Sequence, residues 1–127
     1  MREVMDGMAA GNQQPLFDAL AEDVTWRWMG VEKWSHTFRG KAEVQGGLFG
    51  SVAETLEPGF SVQVHRILDA GEHVVVEHSG RNRTPDGREY NNNYCWVVRV
   101  EGGLIRELRE YMDTRLVGET FGDDQLA

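Results

Sequence analysis

The stretch that decides the fold is REYNNNYCWVVRVEGGLIRELREYMDT, which runs from Arg88 to Thr114. Two runs rich in β-branched and aromatic residues flank Glu101-Gly102-Gly103, and a short glycine-bearing turn between such runs predicts an antiparallel hairpin. Side chains alternate along a strand, so Tyr90, Asn92, Tyr94, Trp96, Val98 and Val100 share one face. Aromatic surface that carries a few polar groups is typical of the wall of a ligand pocket.

Length and composition indicate one domain that spans residues 1–127. Hydrophobic residues make up 40% and charged residues 27%, and no apolar run is long enough to cross a membrane. Arg2, Glu3 and Asp6 interrupt the first ten residues, which do not resemble a secretory signal, so we expect a cytoplasmic protein. The net charge of −8 argues against nucleic acid and against an anionic membrane as partners.

The cysteines and histidines indicate neither a disulfide nor a metal site. Cys95 is the only cysteine, which excludes an internal disulfide and a cysteine-based zinc site. The 4 histidines lack partners that the sequence can identify. We therefore expect no metal and no cofactor.

Periodicity outside the hairpin predicts helices first and strands afterwards. Helices are predicted at 2–10, after Asn12, and from Lys41, where Val44, Leu48, Val52 and Leu56 recur at helical spacing. Strands are predicted at 24–29, 61–68 and 73–83, and a last helix at 114–121. This order predicts an α+β fold with helices on one face of a curved antiparallel sheet, without a parallel crossover.

Four short motifs resemble a known group of proteins. Leu20-Ala21-Glu22-Asp23-Val24, Phe38-Arg39-Gly40, Asp86-Gly87-Arg88 and Arg109-Glu110-Tyr111-Met112-Asp113-Thr114 resemble the SnoaL-like branch of the nuclear transport factor 2-like (NTF2-like) superfamily. That group includes ketosteroid isomerases, polyketide cyclases and limonene epoxide hydrolase. The resemblance implies a cone-shaped, strongly curved, mostly antiparallel sheet with N-terminal helices packed on its concave face.

The resemblance also has implications for chemistry. In limonene epoxide hydrolase a tyrosine and an asparagine hold the attacking water, and this sequence has Trp26 and Trp28 at the matching places. It has His78 and Gly80 where that enzyme has an arginine and an aspartate, so the epoxide-opening relay is absent. The enzyme's catalytic aspartate matches Glu110. One inward carboxylate is thereby implied, acting as a base on a carbon acid as in isomerases and cyclases.

The candidate catalytic residues are Glu110, His78 and Tyr94. A turn centred on Gly102 places Tyr94 opposite Glu110, and the turn at residues 85–87 places His78 near Tyr94, so the three side chains form a row across the sheet. Asp113 is the alternative acid, but its position before a helix favours an N-cap.

The remaining candidates line the predicted pocket. They are Trp26, Trp28, Val52, Leu56, Val76, Asn92, Trp96 and Met112. The Asn92 amide can bind a ligand carbonyl or satisfy a buried backbone group, and both interpretations stay open. Arg81 and Arg83 are expected at a solvated rim.

Two functions follow from this pattern. One is a cofactor-free isomerase or cyclase that acts on a small hydrophobic, oxygenated molecule with Glu110 as general base. The other is a non-catalytic module that only binds such a molecule.

The outward face of the sheet predicts a homodimer. It should carry Val75, Cys95, Val97, Ile105 and Tyr111, more apolar surface than a small monomer usually leaves in water. Sheet-face dimers also occur in the group that the sequence resembles.

Overall fold

The computed structural model describes residues 1–122, which form several helices and the strands of a single sheet. The helices are α1 (Arg2–Ala9), α2 (Gln14–Ala19), α3 (Lys41–Glu43), α4 (Gly50–Thr55) and α5 (Thr114–Phe121), and a π-helical turn (Val44–Phe49) joins α3 to α4. The strands are β1 (Leu20–Trp28), β2 (Thr37–Arg39), β3 (Ser61–Ala70), β4 (His73–Arg81), β5 (Asn93–Glu101) and β6 (Leu104–Tyr111). None of the helices in this range has the length and apolar character needed to traverse a membrane.

The six strands form one curved, unclosed sheet in the order β2-β1-β6-β5-β4-β3. Helix α1 packs against β3 and α3 packs against β1, which confirms the predicted α+β fold with helices on one side of the sheet. One part of the prediction is wrong, because β1 pairs with β6 in parallel. Strands β3 to β6 form a meander that leaves one edge of β6 unpaired. Strand β1 pairs with that edge and runs parallel to β6.

The β5–β6 hairpin closes through Gly102 and Gly103, whose φ angles are 61° and 77°. Positive φ at both central residues is the type I′ geometry that suits a two-residue hairpin turn, and it favours glycine. Glu101 therefore pairs with Leu104.

A bulge in β6 changes the register beyond that turn. Arg99 pairs with Glu107 while Val100 pairs with Ile105, so Arg106 is an extra residue. Two predictions are wrong. The turn is centred between Gly102 and Gly103 rather than on Gly102, and together with the bulge this moves the partner of Glu110 by two residues along β5, while the bulge reverses the face of Ile105. Trp96, not Tyr94, lies opposite Glu110. Ile105 points inward and is 2% exposed, so it does not belong to the outward face.

A cluster of aromatic rings fixes the last helix against the sheet. The Trp28 ring contacts the rings of Trp34, Phe38 and Phe121, with centroid separations of 5.7, 5.8 and 5.8 Å. Such pairs contribute about 0.5–1.5 kcal/mol each beyond the burial of their surface. The N-cap predicted for α5 is confirmed, because Asp113 Oδ1 accepts hydrogen bonds from the backbone N–H groups of Arg115 and Leu116 at 3.0 and 3.2 Å.

Candidate functional site

A cavity of about 130 Å³ lies between the sheet and the helices. Its wall includes most of the predicted site residues: Glu110, His78, Tyr94, Trp26, Trp28, Trp96, Val52, Leu56 and Met112. It also includes residues that the sequence analysis did not assign to the pocket, among them Gln13, Leu48, Phe49, Phe60 and Phe121. Helical spacing placed Leu48 on the buried side of its helix, but only the packing of the helices on the sheet shows that it borders a cavity.

Glu110 is the carboxylate at the wall of this cavity, and it is 7% exposed. Its Oε2 accepts a hydrogen bond from Trp96 Nε1 at 2.7 Å, and its Oε1 accepts one from Trp26 Nε1 at 3.2 Å. Burial raises the pKa of Glu110 above its ordinary value of 4.5, and the indole donors only partly oppose that shift. A carboxylate with a raised pKa is suited to take a proton at near-neutral pH.

The tryptophans surround Glu110 because of the strand order. Glu110 lies on β6 between β1 and β5, where its cross-strand partners are Trp28 and Trp96. Trp28 stabilises the carboxylate less than the other two indoles, and its Nε1–H makes no hydrogen bond of proper geometry within residues 1–122. An indole donor that is buried and unpaired is available for a ligand oxygen.

His78 is the second polar group deep in the cavity, and it is 2% exposed. Burial lowers the pKa of His78 to about 4, against a weaker opposing interaction with the Val76 backbone. The imidazole is therefore neutral at pH 7. Its Nδ1 has no hydrogen-bond partner of proper geometry among the described residues, so it too is available for a ligand.

Tyr94 lies opposite His78 on the neighbouring strand, as predicted, and the two rings stack at 5.1 Å. Gly80 leaves room for this ring, because a Cβ there would lie 3.2 Å from the Tyr94 ring. Burial raises the pKa of Tyr94 well above its ordinary value, so the phenol keeps its proton. Trp96 lies between His78 and Glu110. Its ring centroid is 4.5 Å from that of His78, and its Nε1–H donates a hydrogen bond to Glu110.

Asn92 and Val76 are not among the residues that line the cavity. Asn92 Oδ1 accepts from the backbone N–H of Asp113 at 3.0 Å and from that of Asn93 at 2.9 Å, and its Nδ2 donates to Asp113 O at 3.2 Å. Its amide therefore ties β5 to the start of α5. Val76 is fully buried in the core.

Asp113, the alternative acid, is exposed and caps α5. Within residues 1–122, no cluster of histidine, cysteine, aspartate and glutamate side chains could hold a metal ion.

Comparisons with known proteins identify the architecture. A model of the SnoaL-like domain matches residues 1–108. No curated protein matches the sequence. Among solved structures, a protein with a cystatin-like fold from Xanthomonas campestris is 22% identical, with a TM-score of 0.79 and coverage of 95% of this chain and 94% of its own.

Two further structures have informative names. TerC, co-crystallised with polyporic acid, is 17% identical, with a TM-score of 0.73 and coverage of 91% of this chain and 90% of its own. A protein from Jannaschia sp. CCS1 with the designation SnoaL-like polyketide cyclase is 14% identical, with a TM-score of 0.72 and coverage of 93% and 85%. At these identities the similarity shows the NTF2-like fold alone.

Proposed function

The chain belongs to the SnoaL-like domain family, and from that premise we propose that it binds a small oxygenated ring compound and removes a proton next to its carbonyl group, with Glu110 as the general base. The observation that carries this proposal is the Glu110 carboxylate, which borders an otherwise largely aromatic and aliphatic cavity and whose pKa is raised by burial.

The proposed step begins at the carbon next to the ligand carbonyl. Its C–H bond breaks, the proton passes to a carboxylate oxygen of Glu110, and the electron pair moves to the carbonyl oxygen, which becomes an enolate. Protonation at another carbon would complete an isomerisation, and attack of the enolate carbon on a second carbonyl would complete a cyclisation.

The enolate oxygen needs hydrogen-bond donors, and the cavity supplies candidates. The Trp28 Nε1–H, the indole that engages Glu110 most weakly, makes no hydrogen bond of proper geometry within residues 1–122, and the neutral His78 and Tyr94 side chains also border the cavity. Donors fixed in a dry site stabilise developing negative charge without reorganisation. The co-crystallisation of TerC with polyporic acid and the designation of the Jannaschia protein support an oxygenated ring compound as the ligand class.

A non-catalytic binding module is the second candidate, and one observation favours it. Both carboxylate oxygens of Glu110 already accept an indole hydrogen bond, which leaves less basicity for a substrate proton. Turnover separates the two candidates.

The experiment measures deuterium uptake by cyclohexanone in D₂O by proton NMR. We expect the wild type to accelerate exchange next to the carbonyl, and Glu110→Gln to lose about 100-fold or more of that rate, as for a general base. Glu107→Gln is the matched control, because Glu107 lies on the same strand but does not line the cavity.

Tryptophan fluorescence checks that the Gln variant still binds the ketone. Binding without exchange in the wild type would establish the module instead. Exchange that survives Glu110→Gln would exclude Glu110 as the base.

A further inference from the structure

A second, larger recess opens next to the cavity. It has a volume of about 520 Å³ and lies where β3 begins and β4 ends, between the segment after α4 and the loop that joins β4 to β5. We call it the outer groove. Phe60, Ser61, Arg81 and Asn82 line both the cavity and the outer groove, so the two spaces adjoin.

The size of the cavity limits what it can hold. Ligand pockets usually measure roughly 300–1,000 Å³, whereas a dry cavity of about 150 Å³ binds benzene. The cavity of about 130 Å³ therefore suits a single ring. The four shared residues give a substituent of such a ring a route into the outer groove.

The groups in the outer groove indicate the character of that substituent. Arg83 Nε pairs with Glu57 Oε2 at 3.5 Å, which neutralises one charge of each sign. Arg81 and Glu89 supply one further charge of each sign, and Arg81 makes no ion pair within residues 1–122. The lining therefore carries no net charge, although the whole chain is strongly acidic.

Hydrogen-bonding groups dominate this neutral lining. Asn91 Nδ2 donates to Glu89 Oε2 at 3.2 Å, which holds an amide and a carboxylate side by side at the surface. Ser61 and Asn82 add a hydroxyl and an amide, and the Phe60 ring adds an apolar surface. Closely spaced donors and acceptors beside an aromatic ring suit a hydroxyl-rich group, and the balance of two arginines and two carboxylates gives an anion no net electrostatic attraction.

We propose that the ligand has two parts: a single ring in the cavity and a neutral, hydroxyl-rich substituent, such as a glycosyl group, in the outer groove. The inference rests on the proposed function for the position of the ring, since the reacting carbonyl must lie near Glu110. It adds the chemical class of the substituent and the residues that select it.

The test uses the full chain and three probes that share one ring: phenol, phenyl β-glucoside and phenyl phosphate. Dissociation constants come from NMR titrations that follow the indole N–H signals of Trp28 and Trp96 in the cavity and the side-chain amide signals of Asn91 in the outer groove. We expect the glucoside to bind at least tenfold more tightly than phenol, and to shift both sets of signals. Phenol should shift the indole signals alone.

A double variant tests the groove residues. Glu89→Ala combined with Asn91→Ala should reduce the affinity for the glucoside about tenfold, to near that for phenol, and leave phenol binding unchanged. Gln63→Ala is the control, because Gln63 is an exposed amide on β3 outside both spaces.

The wild-type comparison alone can overturn the inference. A glucoside that binds no more tightly than phenol, or a phosphate that binds more tightly than the glucoside, contradicts it. Selective glucoside binding without deuterium exchange would refute the proposed function only. Exchange that depends on Glu110 without glucoside selectivity would refute the two-part ligand only.

Discussion

At the scale of single residues, Glu110 and His78 affect stability in opposite directions over the same pH range. Burial raises the pKa of the carboxyl group and lowers that of the imidazole, because both groups are disfavoured in their charged forms. The folded state therefore favours a protonated Glu110 and a neutral His78. Single substitutions separate the two contributions.

His78→Phe should remove an acid-sensitive contribution to stability. The folded pKa of about 4 lies below the ordinary value of 6.5, so the unfolded chain binds the proton more readily. The contribution is present above pH 6.5 and is lost as the pH falls towards 4, and it amounts to roughly 3 kcal/mol at about 1.4 kcal/mol per pKa unit. Urea unfolding of both proteins at pH 7 and pH 4.5 measures it. An unfolding free-energy difference that is the same at both pH values would contradict the prediction.

Glu110→Gln should show the opposite pH dependence. The raised folded pKa means that the folded state binds the proton more tightly, so stability is greatest below pH 4.5 and declines as the pH rises through the folded pKa. The glutamine side chain of the variant does not titrate, so the variant lacks this contribution to the pH dependence. The unfolding free energy of the wild type minus that of the variant should therefore fall from pH 4 to pH 8, and a rise over this range would be inconsistent with a buried, destabilised carboxylate.

The sequence predicted the inward carboxylate but did not decide between the two roles that it left open for Asn92, of which the structure shows bonds to backbone groups. The family resemblance pointed Glu110 inward, whereas strand alternation alone left its face undecided, and the bulge at Arg106 interrupts the alternation of this strand. The bonds of Asn92 depend on Asp113, which approaches it only after β6 has folded back beside β5. A contact of that kind has no local signal in the sequence.

At the scale of elements, the π-helical turn offers a matched pair of glycines. A Cβ at Gly46 would meet no atom within 4 Å, whereas a Cβ at Gly47 would lie 3.2 Å from the buried Phe38 ring. Gly46→Ala should stabilise the protein by up to about 1 kcal/mol, because alanine loses less backbone entropy. Gly47→Ala should stabilise the protein less than Gly46→Ala does, or destabilise it. Guanidinium unfolding of both variants measures the difference. Equal changes in the unfolding free energy would contradict this prediction, because they would mean that the Phe38 ring moves aside without a measurable cost.

The hairpins were predictable as elements, but their register was not. The glycine turn at 102–103 and the alternation of β5 indicated the β5–β6 hairpin. A bulge adds one residue without any distinct residue type, and Arg106 resembles any other polar strand residue. The parallel pairing of β1 with β6 likewise depends on a free strand edge that only the assembled sheet creates.

At the scale of the whole molecule, we propose a homodimer through the outer face of the sheet. Leu68, Val75 and Val97 lie in register across β3, β4 and β5, and Tyr111, which lies opposite Cys95 on β6, is 42% exposed. This apolar stripe replaces the face that was expected to include Ile105. Exposed apolar surface of this kind favours association.

Val97→Lys should weaken such a dimer at least tenfold, because a lysine would have to be desolvated at the contact. Sedimentation velocity over a concentration series measures the dissociation constant. Val31→Lys is the control, since Val31 is fully exposed in a loop away from the sheet face. A wild-type protein that remains monomeric at micromolar concentration contradicts the proposal.

The titration of the Glu110 side chain tests the central claim most directly. The chemical shift of its carboxyl carbon, followed by ¹³C NMR from pH 3 to pH 9, should give a pKa above 4.5, because burial outweighs the indole hydrogen bonds. Trp96→Phe should raise that pKa further, since it removes the donor at 2.7 Å. A pKa at or below 4.5 in the wild type would contradict the account of Glu110 as a buried base in a ligand cavity.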